Sequence, residues 1–220
     1  MSDQETGHGK VFCVGFPKTG TTSLEAALAR LGYKVCRGNS QNNHSNYLMA
    51  LQLNGDTDAI ARLIRQFDAF ADMPWGGTGI YLWLSRRYPD ARFVHTVREP
   101  EAWYRSLLNQ MRKMGAQGCE PLDAFDAAGG YGASLTVRRT WGVADPVAEK
   151  DRVLHYYRRL NTDILSHFAG CDNFLSLDLT RDPAWSALCA FLERPVPHEP
   201  FPHQNRGDGG ELRRVPSQSV

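Results

Sequence analysis

Between positions 15 and 23 the chain reads GFPKTGTTS: one lysine, two glycines, three threonines and a serine in one short stretch. In a turn that leads into a helix, such residues bring backbone N–H groups, hydroxyls, one ammonium and the positive end of the helix dipole to one point. That point attracts an anion, most often a phosphate. Gly15 and Gly20 have the G-x-x-x-x-G spacing, but Thr21 and Thr22 stand where a nucleoside-triphosphate loop carries Lys and then Ser or Thr. The lysine comes earlier, at Lys18. In a triphosphate site the late lysine reaches the β/γ phosphates and the hydroxyl after it holds Mg²⁺. A cation moved to the front edge of the loop predicts a different charge to neutralise, and no metal. The alternative is a degenerate loop whose threonines only cap a helix.

The elements that must position this stretch are legible on both sides. Residues 11–16, VFCVGF, form an apolar run suited to a buried strand. Beyond the loop, Leu24, Ala27, Leu28 and Leu31 repeat at helical spacing, and Gly32 sits where a helix C-terminus favours glycine. Residues 33–36 predict a short second strand and 37–46 a polar loop. Helices are predicted over 47–53 and 58–67, the second with Ile60, Leu63, Ile64 and Phe67 as its stripe and Asp58 near its start. Residues 68–72 read as a strand ending at Asp72 and broken by Met73-Pro74. A helix over 78–88 and a strand over 92–97 follow. The helix over 99–114 opens with Glu99, Pro100 and Glu101, which suit a first turn. Residues 115–133, rich in Gly, Ala and Asp, read as a lid or substrate loop. A long helix within 145–168, a strand over 173–177 and a last helix through Leu192 complete the order. This alternation predicts an α/β fold, a mainly parallel central sheet flanked by helices, of P-loop type. Ligands of such sheets bind at the carboxyl ends of the strands. The loop, Asp72 and Arg98 all fall there.

With those residues in place, PKTGTTSL resembles the 5′-phosphosulfate loop of the sulfotransferases that use 3′-phosphoadenosine 5′-phosphosulfate (PAPS). FVHTVREPEAWYRSL, residues 93–107, resembles the 3′-phosphate motif of the same family, an Arg at a strand end and a Ser eight residues on; Arg98 and Ser106 match it. The resemblance covers most of residues 11–207. It implies sulfuryl transfer from PAPS to a hydroxyl or amine of a small-molecule acceptor, with adenosine 3′,5′-bisphosphate released and no metal needed. Lys18 would neutralise the leaving phosphate oxygen, while Thr19, Gly20, Thr21, Thr22 and Ser23 cradle the 5′-phosphate. Arg98 and Ser106 would hold the 3′-phosphate. Arg206, in the segment Asn205-Arg206-Gly207-Asp208-Gly209-Gly210, echoes a C-terminal Arg-Lys-Gly motif that closes over it. In cytosolic members a His before Leu-Pro is the base; here Ala71-Asp72-Met73-Pro74 puts Asp72 in that place, with His44 and His95 as fallbacks. Two departures stand out. Phe70 replaces a second lysine, and Ser23 replaces a Trp near the adenine.

Each assignment has a plainer alternative. Lys18 facing water, Arg98 paired with Glu99 or Glu101, Asp72 capping a turn, and His95 on a sheet face are the ones to weigh. Trp75, Tyr81, Trp83, Tyr131 and Trp141 are candidates for an acceptor pocket, or for the core. Two other functions stay open. A P-loop kinase or nucleoside triphosphatase lacks its Gly-Lys-Ser/Thr turn here. A non-catalytic module would bind the nucleotide and transfer nothing.

The totals set the frame. At 220 residues the chain suits one domain, expected over 10–205, with a disordered leader at 1–9 and a flexible tail at 206–220. Lys and Arg total 25 against 24 Asp and Glu, so bulk charge gives no sign of a nucleic-acid partner. Five cysteines without CxxC spacing read as buried thiols of a reducing compartment. No apolar run approaches a membrane span, which gives a cytoplasmic expectation. The resemblance leaves room for a homodimer.

Overall fold

Phe12 and its neighbours explain why the first strand becomes the middle of a sheet. In the computed structural model, which describes residues 9–36, 44–114, 131–181 and 185–203, strand β1 (Val11–Cys13) is buried along its whole length. It lies between β3 (Ala69–Phe70) and β4 (Arg92–Thr96), parallel to both. Strand β2 (Val35–Cys36) adds outside β3, and β5 (Phe174–Leu177) outside β4, giving the order β2-β3-β1-β4-β5 with every pair parallel. Strands buried on both faces need apolar residues at odd and even positions. Phe12, Phe70 and Phe93 point to one face, where Phe12 stacks on Phe70 at 4.8 Å. Val11, Cys13, Ala69 and Val94 point to the other.

Helices cover both faces. Helix α1 (Thr21–Arg30) and the last helix, α8 (Trp185–Leu192), pack through Leu24, Leu28, Leu188 and Leu192. The opposite face takes α2 (His44–Leu53), α3 (Thr57–Ile64), α4 (Tyr81–Arg87), α5 (Pro100–Met114) and α7 (Lys150–His167). Helix α6 (Tyr131–Thr136) runs into a π-helical turn, Val137–Trp141, ended by Gly142 at φ 67°. The predicted α/β architecture is therefore the observed one. Among the described residues no helix is long and apolar enough to cross a membrane.

Local hydrogen bonds move several predicted boundaries. Strand β1 stops at Cys13 rather than residue 16, because Gly15 turns away against Thr96. Helix α3 is capped by Asp56, whose carboxylate accepts from the Ala59 N–H at 3.0 Å; Asp58 lies inside the first turn. Helix α4 begins three residues late, since the Thr78 hydroxyl donates to the Pro74 carbonyl and accepts from the Ile80 N–H. Helix α7 begins at Lys150 because Asp145 accepts from the Val147 and Ala148 N–H groups and builds a separate turn first. Helix α2 starts at His44, inside the stretch expected as loop. The rest of that loop, at 37–43, most of the expected lid, at 115–130, and positions 1–8 and 204–220 lie outside the described residues.

Candidate active site

The loop after β1 is pressed into place by two glycines. A Cβ on Gly15 would sit 2.3 Å from the Thr96 carbonyl oxygen, and one on Gly76 would sit 1.7 Å from the Gly15 carbonyl oxygen. The ends of β1, β3 and β4 thus meet with backbone against backbone, at a closeness only glycine permits. Gly76→Ala is expected to lower stability by about 2–3 kcal/mol through overpacking, read as a lower urea midpoint, and to abolish anion binding at the loop.

Thr19 forms the strut under the loop. It is fully buried; its hydroxyl bonds the Phe16 carbonyl and the Thr96 hydroxyl, the latter at 2.6 Å, and Thr96 in turn meets the Cys13 thiol at 3.5 Å. The Thr19 side chain is therefore committed to the fold, and only its backbone is left for an anion. Gly20 then takes φ 100° as the N-cap of α1, with no side chain capping the first turn. Thr22 is exposed there, whereas Thr21 is buried and donates to the Asp72 carboxylate at 3.3 Å. Ser23 is buried as well.

Three charged groups converge on this turn. Lys18 has φ 72°, a left-handed conformation that a lysine adopts only at a cost. Its ammonium donates to the Gln110 side-chain oxygen at 3.1 Å, and its carbonyl accepts from the Arg98 guanidinium at 3.2 Å. Burial pushes the Lys18 pKa below the ordinary lysine value; Lys113 and Arg98 push the same way, and Asp72 opposes them. Asp72 ends the segment after β3, also left-handed at φ 66°. Burial raises its pKa above the usual carboxylate value, against the Met73 N–H bond at 2.8 Å, the charge of Lys18 and the Thr21 hydroxyl. A carboxylate biased toward holding a proton, beside an ammonium biased toward releasing one, is the pairing expected at a site of proton transfer.

Arg98 is held from behind. Its N–H donates to the Tyr157 hydroxyl at 3.1 Å, and that hydroxyl donates to the Arg98 carbonyl at 2.8 Å. Tyr157 stacks on Trp103 with ring centres 4.0 Å apart, and the Trp103 indole N–H donates to the Pro17 carbonyl at 2.9 Å. The expected rivals for the guanidinium are engaged elsewhere. Glu99 accepts from the Glu101 and Ala102 N–H groups, and Glu101 pairs with Lys150 at 2.9 Å. Ser106 is partly exposed on α5, between Trp103 and Gln110, and both of those touch the loop. Helical spacing puts all three on one side of α5. Arg206 lies outside the described residues, as does the side chain of His44.

The remaining candidates fall to the core. His95 is fully buried on the sheet face under α7, with Nε2 bonded to the Asn161 side-chain oxygen at 2.7 Å and Nδ1 near the Ser176 hydroxyl at 3.4 Å. Burial lowers its pKa, against the Asn161 hydrogen bond, and so disfavours the charged ring. Trp75 is buried against Phe12 and Phe70, and Tyr81 against His167 and Phe168, so neither lines an acceptor pocket. Trp83 faces a hollow of about 410 Å³ between α3 and α4 that it shares with Arg62, Arg65 and Arg87. Trp141 does lie beside the loop: it packs on Phe16 and Tyr156 and donates to the Gly77 carbonyl at 2.9 Å. The side chain of Tyr131 is outside the described residues. Gln110, Trp103, Tyr156 and Tyr157 were not singled out in the sequence; the i, i+3, i+7 repeat of Trp103, Ser106 and Gln110 was the available signal.

The arrangement suits one ligand class. Of the charges that act on Lys18, Arg98 and Lys113 are positive and Asp72 negative, and they lie next to an uncapped helix start. Such a cluster favours an anion, and cations from two separate strand ends match an anion with two charged groups. Among the described residues no three of His, Cys, Asp and Glu come together as a metal site. In comparisons with known proteins, a family model described as a sulfotransferase domain matches residues 10–209. A curated relative from Aspergillus versicolor, named "Ava biosynthesis cluster protein M", is 25% identical over 218 residues, covering 91% of this chain and 82% of the relative.

Proposed function

The chain belongs to the sulfotransferase-domain family, and on that premise we propose that it moves a sulfuryl group from PAPS to a hydroxyl or amine of a small molecule. The observation that carries this reading is the contact between Arg98 and the Lys18 carbonyl, 3.2 Å, which brings the two cations to one edge of the sheet. One nucleotide carrying phosphates at both the 3′ and 5′ positions can then engage both. The bare start of α1, with Thr22 exposed, supports a 5′-phosphate at the loop.

In this mechanism the acceptor O–H or N–H gives its proton to the Asp72 carboxylate. The acceptor atom attacks sulfur, and the bond from sulfur to the bridging phosphate oxygen breaks in line. The electron pair leaves on the 5′-phosphate of adenosine 3′,5′-bisphosphate, where Lys18 neutralises it. As in phosphoryl transfer, positioning and charge stabilisation carry the rate. Thr21 orients Asp72 through its 3.3 Å hydrogen bond. Tyr156, partly exposed and backed by the buried rings of Phe16 and Trp141, offers aromatic surface beside the loop and supports an acceptor with apolar surface. The relative's name, which refers to a biosynthesis cluster, supports a small metabolite as acceptor. Cys13, Cys36 and Cys189 are buried free thiols, whereas Cys171 is exposed rather than buried as expected; the free thiols support a reducing, cytoplasmic setting.

The test is incubation with labelled PAPS and a panel of hydroxyl and amine compounds, in the presence of chelator, with products identified by mass. Bisphosphate binding without any transfer would leave a binding module; metal-dependent ATP turnover would leave a triphosphatase. Arg98→Ala separates the phosphates: affinity for adenosine 3′,5′-bisphosphate should fall about 30–100-fold, the worth of one charge-assisted pair. Affinity for adenosine 5′-monophosphate should fall about threefold or less. Equal losses in calorimetry would remove Arg98 from the 3′-phosphate.

A further inference from the structure

We propose that Gln110 is a positioning residue for Lys18, its neutral amide oxygen fixing the ammonium in place without cancelling the charge. The proposal rests on the role given to Lys18 above. Both ends of that lysine are held: the ammonium by Gln110 at 3.1 Å, and the carbonyl by Arg98 at 3.2 Å. Between them the backbone is fixed at φ 72°. A lysine side chain has many rotamers, and each one frozen beforehand is one less to freeze during the reaction.

The identity of residue 110 matters as much as its place. The charged groups facing Lys18 are Asp72 from the end of β3, Arg98 from the end of β4 and Lys113 from α5. A carboxylate at 110 would add a second ion pair to the ammonium and spend the charge that the leaving oxygen needs. An apolar side chain would leave a half-buried ammonium without this acceptor. An amide oxygen satisfies the donor and keeps the full charge available. Helix α5 presents that oxygen at the right depth because Trp103, two turns earlier on the same side, is tied to the loop at Pro17.

Gln110→Glu and Gln110→Leu test this. The chain has five lysines, few enough for ¹³Cε NMR titration, with Lys18→Met assigning the Lys18 signal. Gln110→Glu should raise the Lys18 titration midpoint by about one unit or more, as a close opposite charge does; Gln110→Leu should not raise it. In turnover assays kcat should fall about tenfold in both variants, with KM for PAPS changing less than about threefold, and the alkaline limb of kcat should move up in Gln110→Glu. Unchanged kcat and an unmoved limb in both variants, with native circular dichroism, would overturn the proposal. The NMR arm needs no donor. A wild-type protein that transfers no sulfuryl group defeats the reading of the site; the Gln110 contact then stands if the midpoint moves and falls if it does not.

Discussion

Replacing Lys18 with methionine should cut sulfuryl transfer about a thousandfold, in line with removal of one preorganised charge-stabilising donor, while the protein stays folded. The reason is where the charge develops. In the ground state the bridging oxygen of the donor carries little charge; in the transition state it carries most of what the leaving phosphate gains. A cation that meets that oxygen lowers the barrier far more than it tightens binding. The loss should therefore appear in kcat, with a smaller change in affinity for adenosine 3′,5′-bisphosphate. Stability should hold or rise, because burial already disfavours the charged lysine and methionine removes that penalty. Single-turnover kinetics and a melting curve on the same sample check both halves. Turnover within tenfold of wild type would take Lys18 out of the mechanism.

Asp72→Asn should separate activity from stability in the other direction: transfer lower by about 10²–10⁴-fold, the usual worth of a general base, and a higher melting temperature. The folded pKa of Asp72 is raised by burial, so the folded state binds its proton more readily than the unfolded chain does. Its stabilising contribution is present below the unfolded carboxylate pKa, near roughly 4, and disappears as pH rises through the raised folded value. Neutral asparagine escapes that loss and is also at home at the left-handed φ of 66°. Wild type and variant should thus melt alike in acid and diverge toward neutral pH, the variant about 2–4 °C higher for each kcal/mol gained. The wild-type rate should climb as Asp72 ionises and fall as Lys18 loses its proton, at a pH below the ordinary lysine range. Asparagine should erase the first limb and move the second to lower pH, since Asp72 helps keep Lys18 charged. Undiminished turnover would hand the proton to another group.

What could be read in advance was whatever the sequence states locally. The glycine spacing, the early lysine and the helical stripe after it announced the loop, and the alternation of apolar strand segments with helices announced a mainly parallel sheet flanked by helices. Side-chain direction was not local. Thr19 looked like the other loop hydroxyls, yet its neighbour across the sheet, Thr96, draws it into the floor. Trp75 looked like a pocket wall, but the register that sets Phe12 beside Phe70 makes the space under those rings the place for an indole. Gln110 was invisible as a polar residue on a helix until the loop was seen to touch it. Asp72 and Arg98 were found through the family resemblance, which their places at predicted strand ends supported; the Tyr157 and Trp103 stack that fixes Arg98 joins elements far apart in the chain.

The central position of β1 has a consequence for how this protein comes into being. Val11 leaves the ribosome well before its two partners, which arrive only with Ala69 and Arg92. Until then the nascent chain must carry an unpaired, wholly apolar segment, a hazard for sticky self-association during synthesis. Assembly of the candidate site is thereby deferred: no truncated product ending before β4 can own one.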